Sequence, residues 1–536
     1  MEEIIIIGAG AAGLSAALEL AKNGVKSIVV ADMPSERAQS VMAEGGINAA
    51  FRSETDSPAL HEKETLWAGR YLASPAAIHD LVENAPKIIE ELWADGMSFT
   101  LDSDGKPDVR AFGGQSVKRT YYAASNTGKQ LMHTLINQIR RYEAEGLVYR
   151  LTGWLFLRLL RKEDQVCGCV LTHVNTGGET VLYGKVIIAS GGLNGMFGNA
   201  TGSVRNTGAA TASLFAAGVA IANGEFIQYH PTTACLHGKN MLITEAVRGE
   251  GGRLFTLCGG KPYYFMEEKF PELGNLMPRD VIACEEWALI QQGQQIFLDM
   301  SHLDQSIQQN KLKGVVEDCR KFLSIDPTKE PIPVIPGIHY FMGGIRIDRY
   351  HRTSYKGLYA AGECACQYHG ANRLGGNSLL GALYGGKTAA NSAMTDDFDI
   401  PGDVKLQKEN PVTKMLDGSY VDGMLELRCI LQNGLGIVRD GKVIEQALSE
   451  LIDLREKISE SYDPTASAYE NESLQNCCRL GQALLMSADS RKESRGAHTR
   501  SDFPEERCEY QKQTVAKQCD MEIQITFESV GEENED

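Results

Sequence analysis

The sequence predicts an α/β fold, a parallel sheet covered by helices, with a smaller helical domain near its C-terminal end. Two observations predict the sheet: an apolar strand runs into a glycine triplet and a helix at the start of the chain, and two later apolar strands also end in glycines. A third observation sets the C-terminal part apart, because its apolar residues recur at three- and four-residue spacing. The length of 536 residues leaves room for several domains.

The glycine triplet lies in residues 4–13, which read Ile-Ile-Ile-Ile-Gly-Ala-Gly-Ala-Ala-Gly. Gly8 is expected to make the turn after the strand, and Gly10 to let the backbone meet a pyrophosphate at the N-terminus of a helix; Gly13 completes the triplet. A second apolar strand follows and ends in Asp32, an acid placed to bind a ribose hydroxyl. Strand, triplet, helix, strand and acid together predict a Rossmann-like dinucleotide-binding domain.

Two later strands indicate which dinucleotide is bound. Residues 185–192 form a buried strand that ends in Gly191 and Gly192, and residues 357–363 form another that ends in the acid Glu363. Three strand ends that converge on one ligand suit an extended FAD lying across the sheet better than a single half-site for NAD. The sequence therefore predicts FAD.

Composition and charge exclude several function classes. The net charge of −17, with scattered basic residues, argues against nucleic-acid binding. The apolar opening is too short and too acidic for a signal peptide, and no stretch reaches the ~18 apolar residues of a membrane span, so we expect a cytoplasmic chain without a direct membrane span. Thirteen cysteines without zinc or cluster spacing predict reduced thiols and no metal site.

Two glycine-dense turns carry side chains that suit an acidic ligand. His339 opens a segment that reads His-Tyr-Phe-Met-Gly-Gly, and Arg373 lies in a segment that reads His-Gly-Ala-Asn-Arg-Leu-Gly-Gly-Asn-Ser. Glycines let the backbone approach a flat ligand, and a guanidinium can grip a carboxylate. Together with the FAD prediction, these turns indicate an acid-binding redox site.

Nearly all of residues 1–505 resemble the flavoprotein subunits of fumarate reductase and succinate dehydrogenase, of which L-aspartate oxidase is a close relative. The resemblance rests on several long and unusual segments, at residues 43–46, 226–231, 242–251, 278–280, 339–344, 369–373 and 493–498. It implies a Rossmann-like FAD-binding domain interrupted by an inserted α+β capping domain and followed by a C-terminal helical domain. Hinge motion of the capping domain would open and close the site.

The implied domains have the following boundaries. They are, in chain order, the first part of the FAD-binding domain (1–225), the capping domain (226–340), the second part of the FAD-binding domain (341–400), the helical domain (401–505) and a C-terminal tail (506–536). Helical spacing of apolar residues predicts three helices in the fourth part, at residues 421–435, 443–458 and 472–488. In the tail, apolar and polar residues alternate over residues 521–527, which predicts an edge strand before an acidic end.

The resemblance also implies roles for individual residues at the substrate site. The substrate carboxylates would be held by His230, Thr244, His339 and Arg373. Arg279 would donate a proton to one carbon of a double bond while FAD delivers a hydride to the other. An arginine can act in this way only if it is reprotonated at once, and Glu245 and Arg248 match the relay that family members use.

The resemblance implies a further set of residues around FAD. The expected contacts are Gly8, Gly10, Ala12, Gly13, Asp32, Ser40, Gly45, Gly46, Gly191, Gly192, Glu363, Arg373, Ser378 and Leu379. Respiratory members attach FAD covalently through a histidine, and the matching position here is Gln39, whose amide cannot form that bond. We therefore expect noncovalent FAD, a property that aspartate oxidases share.

The choice of substrate turns on Phe112. Aspartate oxidases carry an acidic residue in the matching segment, where it pairs with the substrate ammonium. Phenylalanine cannot neutralise an ammonium group, but it can pack against an unsubstituted C4 diacid. We expect Phe112, together with Gly46, to line the pocket of a C4 dicarboxylate.

The sequence thus predicts FAD-dependent reduction of fumarate to succinate. L-aspartate oxidation and reduction of another unsaturated acid stay open as alternatives, and a flavin-binding assembly module without chemistry is a more distant one. The expected electron donor is an iron–sulfur subunit or another soluble protein. Partner subunits could tie the chain peripherally to the inner face of the membrane.

Overall fold

The centre of the fold is a five-stranded parallel sheet. A computed structural model describes residues 3–52, 54–236, 239–397, 418–460, 467–520 and 522–531. The strands of the sheet lie in the order Leu358–Ala360, Val186–Ile188, Ile4–Ile7, Ser27–Ala31 and Val148–Thr152. All four isoleucines of the middle strand are buried, as β-branched residues are in a sheet covered on both faces. The predicted α/β fold is confirmed.

Helices cover one face of this sheet and share a hydrophobic core with it. They are Ala11–Lys22, Pro75–Ala94, Thr127–Ala144 and Asn377–Thr395. Ile4 and Ile6 point their side chains into this core, whereas Ile5 and Ile7 belong to the core on the opposite face, as the alternation along a strand requires. The sequence predicted that the ends of three strands converge. These strands, Ile4–Ile7, Val186–Ile188 and Leu358–Ala360, are neighbours in the parallel sheet.

The C-terminal helices pack against the opposite face. They are Gly418–Gly434, Gly441–Glu460 and Ala468–Ser490, which confirms the three helices expected from apolar spacing. Ser467 and Glu470 form a capping box that begins the last of them. Leu427 and Leu484 share one hydrophobic core with Ile5 of the central sheet, so these helices pack directly on the sheet. Residues 401–417 of that predicted domain lie outside the described residues.

A six-stranded antiparallel sheet dominates the predicted capping region. Its strands, in spatial order, are Lys239–Leu242, Ile227–Leu236, Ile332–Phe341, Ile296–Asp299, Arg253–Cys258 and Lys261–Tyr263. Its helices are Ala246–Gly249, Phe265–Lys269, Arg279–Gln291 and Lys313–Asp318. Leu254, Ile282 and Leu298 belong to a hydrophobic cluster of this region that is distinct from the two cores around the parallel sheet.

The C-terminal tail contributes two strands to a mixed five-stranded sheet. Its strands, in spatial order, are Ala365–Cys366, Gly344–Arg346, Ile221–Ala222, Gln513–Cys519 and Glu522–Glu528. The last strand lies at the edge, which confirms the edge strand predicted from alternation, although Met521 and residues 532–536 lie outside the described residues. Gln513–Cys519 was not predicted, and it makes the tail a hairpin that extends a sheet of the main body.

The remaining elements are short or peripheral. The other strands are Ile47–Asn48, Val109–Arg110, Thr120–Tyr121, Trp154–Lys162, Gln165–His173, Glu179–Tyr183, Val438–Arg439 and Thr499–Arg500, and the other helices are Pro58–Ala68, Asn194–Phe197 and Ala209–Ala216. The thirteen cysteines all lie in the described ranges, and none of them forms a disulfide. Within the described ranges, three or more His, Cys, Asp or Glu side chains nowhere gather as a metal site would require. Each helix in the described ranges is too short or too polar to cross a membrane.

Candidate active site

A single cavity of about 700 Å³ is lined both by the ends of the central parallel strands and by the six-stranded sheet. Most residues that the sequence predicted for the site line it, namely Gly8, Gly10, Ala12, Asp32, Ser40, Gly45, Gly46, Phe112, Gly191, His230, Thr244, Glu245, Arg279, His339, Glu363, Arg373, Ser378 and Leu379, and so does Gln39. Gly13, Gly192 and Arg248 are not among the described residues of the cavity wall. The chain thus brings together residues that are up to 371 positions apart.

Gly13 and Gly192 serve packing, because each leaves room for a neighbouring part of the chain. A Cβ atom at Gly13 would lie 1.9 Å from the carbonyl oxygen of Gly8, and one at Gly192 would lie 2.6 Å from the Glu363 carboxylate. Gly8 itself has φ +117°, which L side chains rarely adopt. Close packing therefore explains why both positions have no side chain.

The helix Ala11–Lys22 begins at the cavity, and its first two residues, Ala11 and Ala12, line the cavity wall. Gly10 precedes the helix without a side-chain cap, and a Cβ there would lie 3.2 Å from the Ser40 hydroxyl, on the cavity side. The Ser40 hydroxyl also accepts a hydrogen bond of 3.0 Å from the Ala11 N–H. A helix N-terminus with a bare glycine is a site for a pyrophosphate, and Asp32 lies at the end of the next strand for a ribose. These residues fit FAD.

Gln39 lies in the cavity wall and is held by a backbone contact. Its Oε1 accepts a hydrogen bond of 2.7 Å from the Ser203 N–H. The amide thereby joins the segment that follows the second strand to the loop of residues 201–208 that also lines the cavity. An amide has no nucleophilic ring nitrogen, so this position offers a polar contact and no covalent bond to a ligand.

Two buried guanidinium groups meet at the end of the cavity formed by the six-stranded sheet. Arg279 is the first residue of the helix Arg279–Gln291 and is 6% exposed. Its Nη1 and the Nη2 of Arg373 donate hydrogen bonds of 2.9 and 3.0 Å to the same atom, Oε1 of Gln228. The helix N-terminus adds partial positive charge at the same place.

A buried carboxylate links Arg279 to a second arginine. Arg279 Nε donates to Glu245 Oε2 at 2.9 Å, and Arg248 Nη2 lies 3.4 Å from Glu245 Oε1. Burial alone would raise the pKa of Glu245. The charges of Arg279 and Arg248 and the hydrogen bond from the Gly113 N–H outweigh burial, and together they lower the pKa to about 2. Arg248 Nη1 in turn donates to the Asn275 carbonyl at 2.7 Å. Arg279, Glu245 and Arg248 therefore form a continuous chain, ionised at neutral pH, that leads away from the cavity.

Two histidines face each other beside the guanidinium groups. The rings of His230 and His339 are 5.0 Å apart in an edge-to-face arrangement, and His339 Nδ1 lies 2.8 Å from the Thr201 hydroxyl. Burial, and after it the charge of Arg279, lowers the pKa of His230 well below its usual range, and burial and the neighbouring ring do the same for His339. Both imidazoles are therefore neutral hydrogen-bonding groups at neutral pH.

The balance of charge at this end of the cavity is positive by about two. Three guanidinium groups, those of Arg279, Arg373 and Arg248, surround the ionised carboxylate of Glu245, whereas burial raises the pKa of Glu286, which also interacts with Arg248, well above its usual range. Burial lowers the pKa of Arg373 to about 9, so it stays protonated at neutral pH, and burial raises the pKa of Glu363 to about 7, so that group offsets the excess only in part. A buried site with this charge suits a ligand that carries two negative charges.

Comparisons with known proteins agree with this geometry. Residues 3–379 match the family described as an FAD binding domain, and residues 424–535 match the family described as the fumarate reductase flavoprotein C-terminus. The succinate dehydrogenase flavoprotein subunit of Bacillus subtilis is 36% identical, over 96% of this chain and 93% of its own length. The chain belongs to the succinate dehydrogenase and fumarate reductase flavoprotein family. It is an FAD-dependent oxidoreductase.

Other members of the family support the same assignment. The fumarate reductase flavoprotein subunit of Mycobacterium tuberculosis is 34% identical, over 94% of this chain and 92% of its own length. Among solved structures, the FrdA chain of E. coli quinol fumarate reductase superposes with a TM-score of 0.89 at 28% identity, covering 99% of this chain and 97% of that chain.

In this flavoprotein Phe112 forms an apolar wall of the cavity. It is 1% exposed and packs so closely on two glycines that a Cβ at Gly45 or Gly375 would lie 3.0 or 2.9 Å from its ring. Gly46, which the sequence predicted beside it, has φ +150° and leaves no space for a Cβ, which would lie 2.5 Å from the Tyr121 carbonyl oxygen. Gly113, the residue after Phe112, donates its N–H to the Glu245 carboxylate at 2.9 Å.

Sequence reasoning missed Gln228 and the polar groups under the Arg373 turn. Gln228 lies two positions before His230 on one strand, and alternation along a strand would have placed both side chains on the same face. Below the turn, Asn48 Nδ2 and Gln115 Nε2 donate to the Gly375 carbonyl at 2.7 and 3.1 Å. Their distance in sequence from Gly375 left no local signal that could have identified them.

The depressed pKa of Glu245 predicts how the stability gained from its ion pairs depends on pH. The unfolded carboxyl titrates near its ordinary value of 4.5, and the folded one near 2, so the stabilisation is complete above about pH 4.5 and is lost as the pH falls towards 2. We expect Glu245→Gln to lower the free energy of unfolding by about 3 kcal/mol at pH 7 and by progressively less below pH 4.5.

Thermal midpoints of the two proteins, measured from pH 7 down to pH 3, check this expectation. Glu267→Gln is a matched control, because Glu267 pairs with Arg253 in the same sheet region but is partly exposed. A difference between wild type and Glu245→Gln that stays constant over the whole pH range would contradict the assignment of Glu245 as the ionised partner.

Proposed function

We propose that this flavoprotein reduces fumarate to succinate. The observation that carries the proposal is the excess of about two positive charges, buried at the end of the cavity and contributed by Arg279, Arg373 and Arg248 against Glu245. A C4 dicarboxylate balances this excess, and the apolar wall of Phe112 suits its uncharged carbon atoms. The names of the relatives, which are succinate dehydrogenases and fumarate reductases, support the same substrate class.

FAD is the cofactor of this family, and we propose that this chain binds it noncovalently. The pyrophosphate would lie at Gly10 and the helix N-terminus, and Asp32 would bind the ribose. Gln39, engaged by the Ser203 N–H, offers no attachment atom. When bound, FAD supplies the hydride that one carbon of the substrate double bond receives.

The chain's own residues hold the substrate and polarise it. Arg373 and Arg279 would each bind a carboxylate or the electron-rich centre of the substrate, and the neutral imidazoles of His230 and His339 and the Thr244 hydroxyl would complete the hydrogen bonds. Negative charge that develops on the substrate carbon is stabilised by these fixed cations, in a site from which most water is excluded.

Arg279 is the proposed proton donor. Its guanidinium would give a proton to the second carbon of the double bond, and the Glu245 carboxylate, 2.9 Å from Arg279 Nε, would return one to it. Glu245 also lies 3.4 Å from Arg248, so it can take that proton from the Arg248 guanidinium. Each turnover would move one proton along this chain towards the substrate, and Arg248 would regain its proton from water at the far end of the chain.

We also propose that residues 226–340 act as a mobile cap. This segment supplies Arg279 and His230, whereas Arg373 comes from the segment after it, so the cation pair is complete only when the two segments meet. Closure would exclude water around the hydride and proton transfers. His339 lies on the strand that returns to the flavin-binding part.

Two alternatives and the partner follow from specific residues. Gln39 favours a noncovalent flavin as in L-aspartate oxidase, while Phe112 disfavours the ammonium group of aspartate. Another unsaturated acid could use the same cations. We propose an iron–sulfur subunit or a soluble donor as the electron source, with any attachment to a membrane made through partner subunits.

Fumarate should reoxidise the reduced flavin of this protein. Reduction with dithionite under anaerobic conditions, followed by fumarate, is expected to restore the oxidised absorbance near 450 nm (about the usual flavin maximum), because the site is built for a C4 dianion. Other unsaturated acids are compared in the same way, and L-aspartate is tested as a reductant of the oxidised flavin. Turnover of aspartate without reoxidation by fumarate would reverse the ranking.

Arg279→Lys should impair turnover far more than binding. A lysine keeps the charge but cannot span Glu245, Gln228 and the substrate together, so kcat is expected to fall by about 10²–10⁴-fold, while the Kd of succinate changes less than about tenfold. Arg253→Lys, on a neighbouring strand and paired with Glu267, is the control and should leave both constants unchanged. Equal losses in kcat and Kd would make Arg279 an anchor for the substrate instead of its proton donor.

Acid precipitation should release all of the flavin. Because Gln39 cannot form a covalent bond to FAD, the protein pellet is expected to be colourless and the intact polypeptide to have the mass of the bare chain. Flavin that stays with the denatured polypeptide would show attachment at another residue and would remove the argument from Gln39.

A further inference from the structure

The side-chain amide of Gln228 uses its full hydrogen-bonding capacity between the two halves of the site. Its Oε1 accepts from Arg279 Nη1 at 2.9 Å and from Arg373 Nη2 at 3.0 Å. Its Nε2 donates to Asn372 Oδ1 and to the Arg373 carbonyl, both at 2.8 Å. An amide has two acceptor sites and two donors, and all four are engaged.

The surroundings of Gln228 lock this arrangement in place. Asn372, one of its partners, donates through Nδ2 to Asp280 Oδ1 at 2.9 Å, and Asp280 is the residue after Arg279. The contacts therefore close a ring that runs from Gln228 through Asn372 and Asp280 back to Arg279. Gln228 lies in a strand whose register shifts directly after it, a feature that re-aims side chains next to functional sites. Gln228 is fully buried.

We infer that Gln228 is a positioning residue that spaces the guanidinium groups of Arg279 and Arg373 for a dicarboxylate without neutralising either of them. Two like charges that share one acceptor repel each other, and the amide oxygen offsets that repulsion while it fixes their separation. A carboxylate of the same shape would satisfy the same donors, but it would cancel one of the two positive charges that the substrate has to balance. The neutrality of the amide is thus the property that the site requires.

This inference rests on the proposed function for the identity of the dicarboxylate, and two substitutions separate spacing from charge. Gln228→Glu keeps the shape and the two acceptor contacts with Arg279 and Arg373, adds a negative charge and loses the two hydrogen bonds that Nε2 donates, so the Kd of succinate is expected to rise at least tenfold. Gln228→Met keeps the length and removes all four hydrogen bonds, so the guanidinium groups lose their spacing. We expect it to lower kcat for fumarate at least tenfold while the Kd of succinate changes less than about fivefold, because misplacement by about 1 Å costs reaction rate more than affinity.

Matched controls come from Gln308. That residue is also buried and donates through Nε2 to a main-chain carbonyl, that of Met300, at 3.0 Å, but it lies outside the cavity wall among the described residues. Gln308→Glu and Gln308→Met therefore report what the loss of a buried amide does to folding alone. Flavin content and thermal midpoint are measured for all four variants, the Kd of succinate by titration calorimetry, and kcat by reoxidation with fumarate.

The two Gln228 substitutions are expected to impair different constants, Kd in one variant and kcat in the other, and this difference tests the positioning role. A charge-specific loss of affinity in Gln228→Glu and a rate-specific loss in Gln228→Met support the inference. Values within about threefold of wild type, or equal losses in both constants for both variants, overturn it. If neither variant retains FAD, Asn372→Ala takes their place, since it removes one partner of the ring: a fall in kcat with unchanged Kd supports the inference, and an unchanged kcat overturns it.

The proposed function and the role of Gln228 fail in different ways. If wild type reduces fumarate and the Gln228 variants behave like wild type, only the positioning role is lost. If wild type does not reduce fumarate but binds succinate, and Gln228→Glu weakens that binding, the role stands and the reaction is another one. Absence of succinate binding by wild type overturns both.

Discussion

The burial of three guanidinium groups beside one carboxylate is the constraint on which the rest of this site depends. Arg279, Arg373 and Arg248 are almost fully removed from solvent, and Glu245 is their single full counterion within the cluster. Buried charges are costly unless they are paired or hydrogen-bonded. The protein meets part of this cost with the neutral acceptor of Gln228, and a dianionic ligand would meet the rest. The same buried positive charges thus destabilise the protein alone and would attract a dicarboxylate.

The fold supplies the positions that this arrangement needs. Arg279 starts a helix, where the macrodipole adds to its charge, and Arg373 lies in a glycine-rich turn before the helix Asn377–Thr395. Gly375 in that turn comes so close to Phe112, Glu245 and Arg279 that a Cβ would lie within 3.3 Å of each. Only a residue without a side chain lets the apolar wall, the carboxylate and the guanidinium surround one small volume.

The sequence predicted most of the fold and of the site residues, and each element or residue that it missed was missed for a physical reason. Local signals predicted the parallel sheet and the C-terminal helices, because apolar periodicity and glycine punctuation are properties of neighbouring residues. The strand Gln513–Cys519 pairs locally with Glu522–Glu528, but its other partners, Ile221 and Ala222, are almost 300 positions away, and no local signal shows that second pairing. Apolar spacing showed that each C-terminal helix has a buried face, but not that the central sheet covers it. Gln228 escaped notice because a glutamine beside a histidine carries no chemical signature until its four partners are known.

The state of ionisation of Glu245 decides which group can serve as the acid in the proposed reaction. With a pKa of about 2, it is a carboxylate at neutral pH and has no proton to give. The protons at this end of the cavity therefore reside on guanidinium groups, which release them only to a strongly basic centre. When one carbon of the double bond receives a hydride, negative charge develops on the other carbon, and that carbon is such a centre. The same cations that bind the resting dianion would thus stabilise that charge until Arg279 gives up its proton. Glu245, fixed between two arginines, would then relay a proton from Arg248 to Arg279.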